Sequence, residues 1–82
     1  MVENQISLKW KFKAGDNIEG SAVLEGIVYV GSSDNHLYAV DIKTGKEKLK
    51  FETGGIVSTP AVSKRVVYFG SDHHLYALHI PE

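Results

Sequence analysis

The 82-residue sequence has no cysteine, two prolines, one methionine and one tryptophan. Without thiols, neither a disulfide nor a thiolate zinc site can hold the fold, and a lipid-anchoring cysteine is excluded. Residues 1–5 carry no basic region followed by an apolar run, so no signal peptide is expected. Together with the absence of cysteine this favours a cytoplasmic location. No apolar run approaches the ~20 residues of a membrane helix. The formal net charge of −1 gives no electrostatic case for nucleic acid or for an anionic membrane as partner. The lysines gather between Lys43 and Lys50 around Glu47, the pattern of a solvated hairpin rather than of a phosphate track. Helical periodicity of useful length is absent as well, which leaves an all-β chain.

What is present is alternation and repetition. Residues 1–5 read as a loose, flexible N-terminus. In residues 6–13, Ile6, Leu8, Trp10 and Phe12 fall on one side and Ser7, Lys9, Lys11 and Lys13 on the other, the period-2 signature of a half-buried strand. Residues 20–24 read as a short strand and Glu25-Gly26 as a tight turn. Residues 27–31 and 37–42 do not alternate, and a strand apolar on both sides is normally covered on both sides. Ser33-Asp34-Asn35 makes the hairpin between them, with Asn35 tolerating positive φ. Thr44-Gly45 reverses the chain into a fourth strand over residues 46–52.

The pattern then restarts. At an offset of 39, Lys11-Phe12 falls on Lys50-Phe51, Gly15 on Gly54, Ala22-Val23 on Ala61-Val62, and Val28-Tyr29 on Val67-Tyr68. One residue is lost in the hairpin, so His36-Leu37-Tyr38-Ala39 falls on His74-Leu75-Tyr76-Ala77 at an offset of 38. Of 32 aligned pairs, 15 are identical, and a period near 40 with four short strands marks a propeller blade.

These residues resemble the PQQ-like β-propeller repeat. Val28-Tyr29-Val30-Gly31-Ser32, Leu37-Tyr38-Ala39-Val40-Asp41 and Thr44-Gly45 match its pattern in order. Val67-Tyr68-Phe69-Gly70-Ser71-Asp72 and Leu75-Tyr76-Ala77-Leu78 match it again. The resemblance implies antiparallel four-stranded blades, two per chain: a fourth-strand-like segment at 6–13, one blade at about 20–52, an incomplete blade at about 59–80, and a tail at 81–82. It places inter-blade docking on Trp10, Ala39, Asp41, Thr44, Gly45, Leu49 and Ala77. Leu49 stands where the repeat expects tryptophan, Asn35 and His73 where it expects the hairpin glycine, and His79 where it expects aspartate.

Two blades would leave apolar sheet faces in water. The expected partner is therefore a second copy of the chain, with residues 6–13 of one completing the 59–80 blade of the next. A ring of four chains is favoured and three is next.

Candidate chemistry is sparse. His36, His73 and His74 are possible metal ligands, set against a plain role at hairpin edges, since zinc needs three or four converging donors. Ser32, Ser71, Asp34, Asp72, His36 and His74 offer a superficial Ser/Asp/His set, but such residues in hairpins usually serve their own backbone. Glycines 15, 20, 54 and 55 precede no helix and make no phosphate loop. Tyr29, Tyr38, Tyr68 and Tyr76 repeat with the blade and read as inter-blade packing. The family resemblance also implies a second possibility, a piece of a quinone dehydrogenase holding pyrroloquinoline quinone and calcium. Family members of that kind often carry a vicinal disulfide, which this chain lacks. A non-enzymatic scaffold or binding module, with no cofactor, is the expected function.

Overall fold

The computed structural model describes residues 5–81, so the expectations for residues 1–4 and 82 lie outside the described residues. It is all-β, with seven strands among the described residues. Strands β1 (Ile18–Leu24), β2 (Ile27–Ser32), β3 (His36–Asp41) and β4 (Glu47–Glu52) form one antiparallel sheet in sequence order. Strands β5 (Ala61–Ser63), β6 (Val66–Ser71) and β7 (His74–His79) form a second.

Every hairpin turn follows from a positive φ where the sequence tolerates one. Glu25 and Gly26 both have φ > 0 (47° and 82°), as do Lys64 and Arg65 (50° and 65°) and Asp72 and His73 (53° and 64°). Two consecutive left-handed residues are the pattern of the hairpin turn whose twist matches that of the strands. Asn35, at φ 73°, takes the same role at the end of the β2–β3 turn.

The register sorts each sheet into two faces. In the first, Tyr29 lies opposite Ala39 and Gly31 opposite Leu37, while Val28 lies opposite Val40 and Val30 opposite Tyr38. In the second, Tyr68 lies opposite Ala77 and Gly70 opposite Leu75, while Val67 lies opposite Leu78 and Phe69 opposite Tyr76. The main core lies between the sheets: Tyr29, Leu37 and Ala39 from one meet Val67 and Phe69 from the other, with Val57 of the connecting segment between them. A smaller cluster of Val30, Tyr38 and Val40 covers the first sheet's other face, with Trp10, Phe12 and Ala14 packed on it.

Residues 6–13 correct the sequence reading. They form no strand, although their alternation was that of one. The alternation is satisfied differently: Trp10 and Phe12 lie on the first sheet while Lys9, Lys11 and Lys13 face solvent. No strand edge of the same chain runs beside this backbone, and a strand without a ladder partner is not a strand. Ile6 and Leu8, further out, are left exposed.

Residues 53–60 join the sheets. Val57 is fully buried. Its N–H donates to the Ser32 carbonyl at 3.0 Å, and the Ser58 N–H donates to the Gly70 carbonyl at 3.0 Å, so this segment is bonded to both sheets. It passes so close to β2 that a Cβ at Gly31 would collide with the Ser58 carbonyl.

Candidate functional site

The sheet-to-sheet junction is the feature that the sequence builds twice. Phe12 meets Tyr38 edge to face, centroids 5.0 Å apart and planes at 66°. The equivalent pair, Phe51 and Tyr76, meets at 6.0 Å and 72°, with Phe69 stacked on Tyr76 at 5.0 Å. Residues 10–14 therefore cover the first sheet as β4 and Thr53 cover the second. They lie where the fourth strand of a preceding sheet would lie.

The residues expected to dock divide into three groups. Trp10 donates its indole N–H to the Ile42 carbonyl at 2.9 Å and lies flat over Gly45, where a Cβ would come within 2.6 Å of the ring. Asp41, Thr44 and Gly45 form the closed turn that carries this platform. The Asp41 carboxylate accepts the N–H of Lys43 at 2.8 Å and of Thr44 at 3.2 Å, and the Gly45 N–H donates to the Asp41 carbonyl at 2.8 Å. These backbone donors, the Lys43 N–H foremost, hold Asp41 below the ordinary carboxylate range. Ala39 is buried between the sheets and pairs with Leu49 on β4, whereas Ala77 is exposed on β7.

The hairpin residues form a second constellation, and its chemistry is structural. The Asp34 carboxylate accepts the N–H of Gly15 at 2.8 Å, the N–H of His36 at 3.1 Å and the hydroxyl of Tyr38. Burial alone would raise Asp34, but the Tyr38 hydroxyl and the backbone donors outweigh it and hold the group below its ordinary value. Burial, and then the carboxylate beside it, push Tyr38 up to about 12. His36 Nδ1 donates to the Asp34 carbonyl at 2.9 Å, and His74 Nδ1 donates to the Asp72 carbonyl at 2.7 Å, both two residues back in their own turns. His73 occupies a left-handed turn position. Among the described residues no three His, Cys, Asp or Glu side chains stand together as a metal site would require. Ser32 and Ser71 are likewise spent locally: Ser32 donates to the Asn17 carbonyl at 3.1 Å, and Ser71 shares a hydrogen bond of 2.8 Å with Thr53.

Sequence reasoning missed Arg65. It stands at the turn position of Gly26 one repeat earlier. Its Nε donates to the Ile80 carbonyl at 3.2 Å, its Nη2 to the Pro81 carbonyl at 2.8 Å, and its Nη1 to the Glu25 carboxylate of the neighbouring hairpin. The signal was a lone arginine at a position where the other repeat has glycine. The four tyrosines also separate: Tyr29 and Tyr38 are buried, Tyr76 is half-buried, and Tyr68 is exposed. Burial first, with Glu25 reinforcing it and Arg65 opposing, raises Tyr29 above its ordinary range.

No family model matches the chain. Over 36 residues, 43% of this chain, it is 56% identical to a 1-butanol dehydrogenase (quinone) of Thauera butanivorans, of which that stretch is 6%. The crystal structure of the computationally designed Ika4 protein matches 98% of this chain with a TM-score of 0.75 at 22% identity. The chain spans about half (49%) of that designed chain. The likeness to Ika4 bears on fold alone and agrees with an all-β architecture of two antiparallel sheets.

Proposed function

We propose that the chain is a pair of PQQ-like propeller blades acting as a non-enzymatic scaffold or binding module, and that it assembles head to tail with copies of itself. One observation carries this reading. Tyr29 and Leu37 are 3% and 2% exposed, because the second sheet covers them, yet their repeat equivalents Tyr68 and Leu75 are 39% and 79% exposed. The open face of the second sheet thus repeats the residues that the first sheet buries against a neighbour.

The complementary surface is on the same chain. Val30, Tyr38 and Val40 are the equivalents of Phe69, Tyr76 and Leu78, the residues the second sheet turns toward the first. Residues 10–13 already lie on that surface in the fourth-strand position, with their backbone edge unpaired. In a head-to-tail contact they run beside β7 of the preceding copy. Such a heterologous contact closes into a ring when its rotation allows. At two blades per chain, four copies fall within the size range of propellers and three copies are next.

Light scattering after size exclusion tests this: the expected mass is that of four chains, and a mass of one chain at micromolar concentration overturns self-assembly. The similarity to the quinone dehydrogenase favours a second reading, in which the chain is part of an enzyme's propeller. Among the described residues no three His, Cys, Asp or Glu side chains stand together. A thermal shift or a new absorbance band on adding calcium and pyrroloquinoline quinone would favour the enzyme reading.

A further inference from the structure

The two junctions differ at Trp10 and Leu49, and a cavity lies beside Leu49. In the first repeat the indole of Trp10 fills the angle between Val28, Val40 and the Gly45 turn, with its N–H on the Ile42 carbonyl. In the second repeat the equivalent positions are Leu49, Val67, Leu78 and Ile80. A leucine reaches less far than an indole, and here a cavity of about 200 Å³ opens. It is walled by Tyr29, Ala39 and Leu49 of the first sheet on one side and by Val67, Leu78, His79 and Ile80 on the other. Leu49, half exposed, stands at its mouth. From there the space continues into a shallower recess beside Lys48 and Arg65.

The chemistry of the walls decides the guest. Apart from His79 they are aliphatic and aromatic, the lining that suits an apolar guest. Dry apolar cavities of about 150 Å³ are known to admit benzene-sized guests. The repeat itself supplies the template for this one. The floor formed by Val67, Leu78 and Ile80 is the floor on which Trp10 lies one repeat earlier. The Ile80 carbonyl matches the acceptor that the indole N–H uses there. It already takes Arg65 Nε, and a carbonyl oxygen has a second lone pair.

The geometry points to a binding site, at Leu49, for a small planar aromatic molecule of the indole class, held where Trp10 holds its own ring in the first repeat. The site lies wholly within one chain, so it does not depend on assembly. Burial of the ring's apolar surface drives binding.

The probe is indole itself, titrated into the full chain and followed by the methyl resonances of both repeats. Saturable shifts are expected at Leu49, Val67, Leu78 and Ile80, while Val28 and Val40, already covered by Trp10, stay still. Leu49→Trp should fill the cavity from within, weakening indole binding at least about tenfold and raising the melting temperature. Leu49→Phe, a smaller change, should weaken it in part and serves if the tryptophan variant does not fold. No saturable shift, shifts as large at Val28 and Val40, or unchanged affinity in folded Leu49→Trp or Leu49→Phe would each overturn the assignment.

Discussion

Arg65 gives the Ile80 carbonyl a hydrogen bond from Nε at 3.2 Å, and the equivalent carbonyl one repeat earlier, on Ile42, takes its bond from the Trp10 indole. The same acceptor is capped by two unrelated side chains, and the repeat that keeps tryptophan has glycine at the turn. Arginine at φ 65° costs of order 1 kcal/mol in a left-handed position that glycine takes freely. Its hydrogen bonds return roughly 1 kcal/mol each. Arg65→Gly alone removes three such bonds and should therefore lower the urea midpoint, by up to about 2 kcal/mol. Combined with Leu49→Trp it recreates the first repeat's arrangement, and a double-mutant cycle should show the pair more stable than the sum of the singles by about 1 kcal/mol.

Trp10 is half-buried but anchors residues 6–13. Trp10→Ala should cost about 3 kcal/mol by urea denaturation, at the low end for removing a large aromatic from a core. Trp10→Phe keeps a ring over Gly45 and loses only the bond to Ile42, for about 1 kcal/mol. If Trp10 also docks one copy on the next, Trp10→Ala lowers the mass seen by light scattering as well.

Acid should find Asp34. Its folded-state pKa is depressed, so its contribution is present above the unfolded carboxylate value near ~3.9 and is lost as pH falls below it toward the folded value. Urea midpoints from pH 6 to pH 2 should fall in that window, and Asp34→Asn should flatten the fall, leaving the part due to Asp41. At the other end the sign reverses. Tyr38 holds its proton in the folded state up to about 12, so stability should drop as pH rises from about 10 to 12, and Tyr38→Phe should reduce that drop, leaving the part due to Tyr29.

His73 sits at φ 64° in a two-residue turn where asparagine or glycine is preferred. His73→Gly should stabilise the chain by about 1 kcal/mol, read as a higher melting temperature, because strain relief there exceeds the added freedom of the unfolded chain.

Leu75 is the most exposed member of the open face. Leu75→Glu should leave the circular dichroism spectrum and the unfolding midpoint of the isolated chain within about 0.5 kcal/mol. On the self-assembly reading it should also dissociate the ring.

How much of this could be read from residues alone varies with what each residue needed. Strands β2 and β3 fell within a residue of their expected bounds, since their apolar runs and Gly/Asx turns act locally. The repeat offsets matched Phe12 to Phe51 and Tyr38 to Tyr76, and in the fold each Phe meets its Tyr in the same edge-to-face way. Residues 6–13 form no strand within the single chain, because a strand needs a partner edge and alternation does not say where one lies. Leu49 was visible as a departure, but whether the gap closes or stays open depends on how Tyr29 and Val67 relax around it. Arg65 had no motif to announce it, since its partners are main-chain carbonyls brought near only by the fold.

Residues 53–60, with two glycines, a proline and no strand, have the composition of a hinge that a protease would cut. The structure puts Val57 at zero exposure and bonds its neighbours to both sheets. A protease must draw out several residues of extended chain to cleave, and here that means parting the two halves first. Limited digestion should therefore trim residues 6–9 long before it separates the repeats, and the segment that looks most like a seam in composition is the last to open.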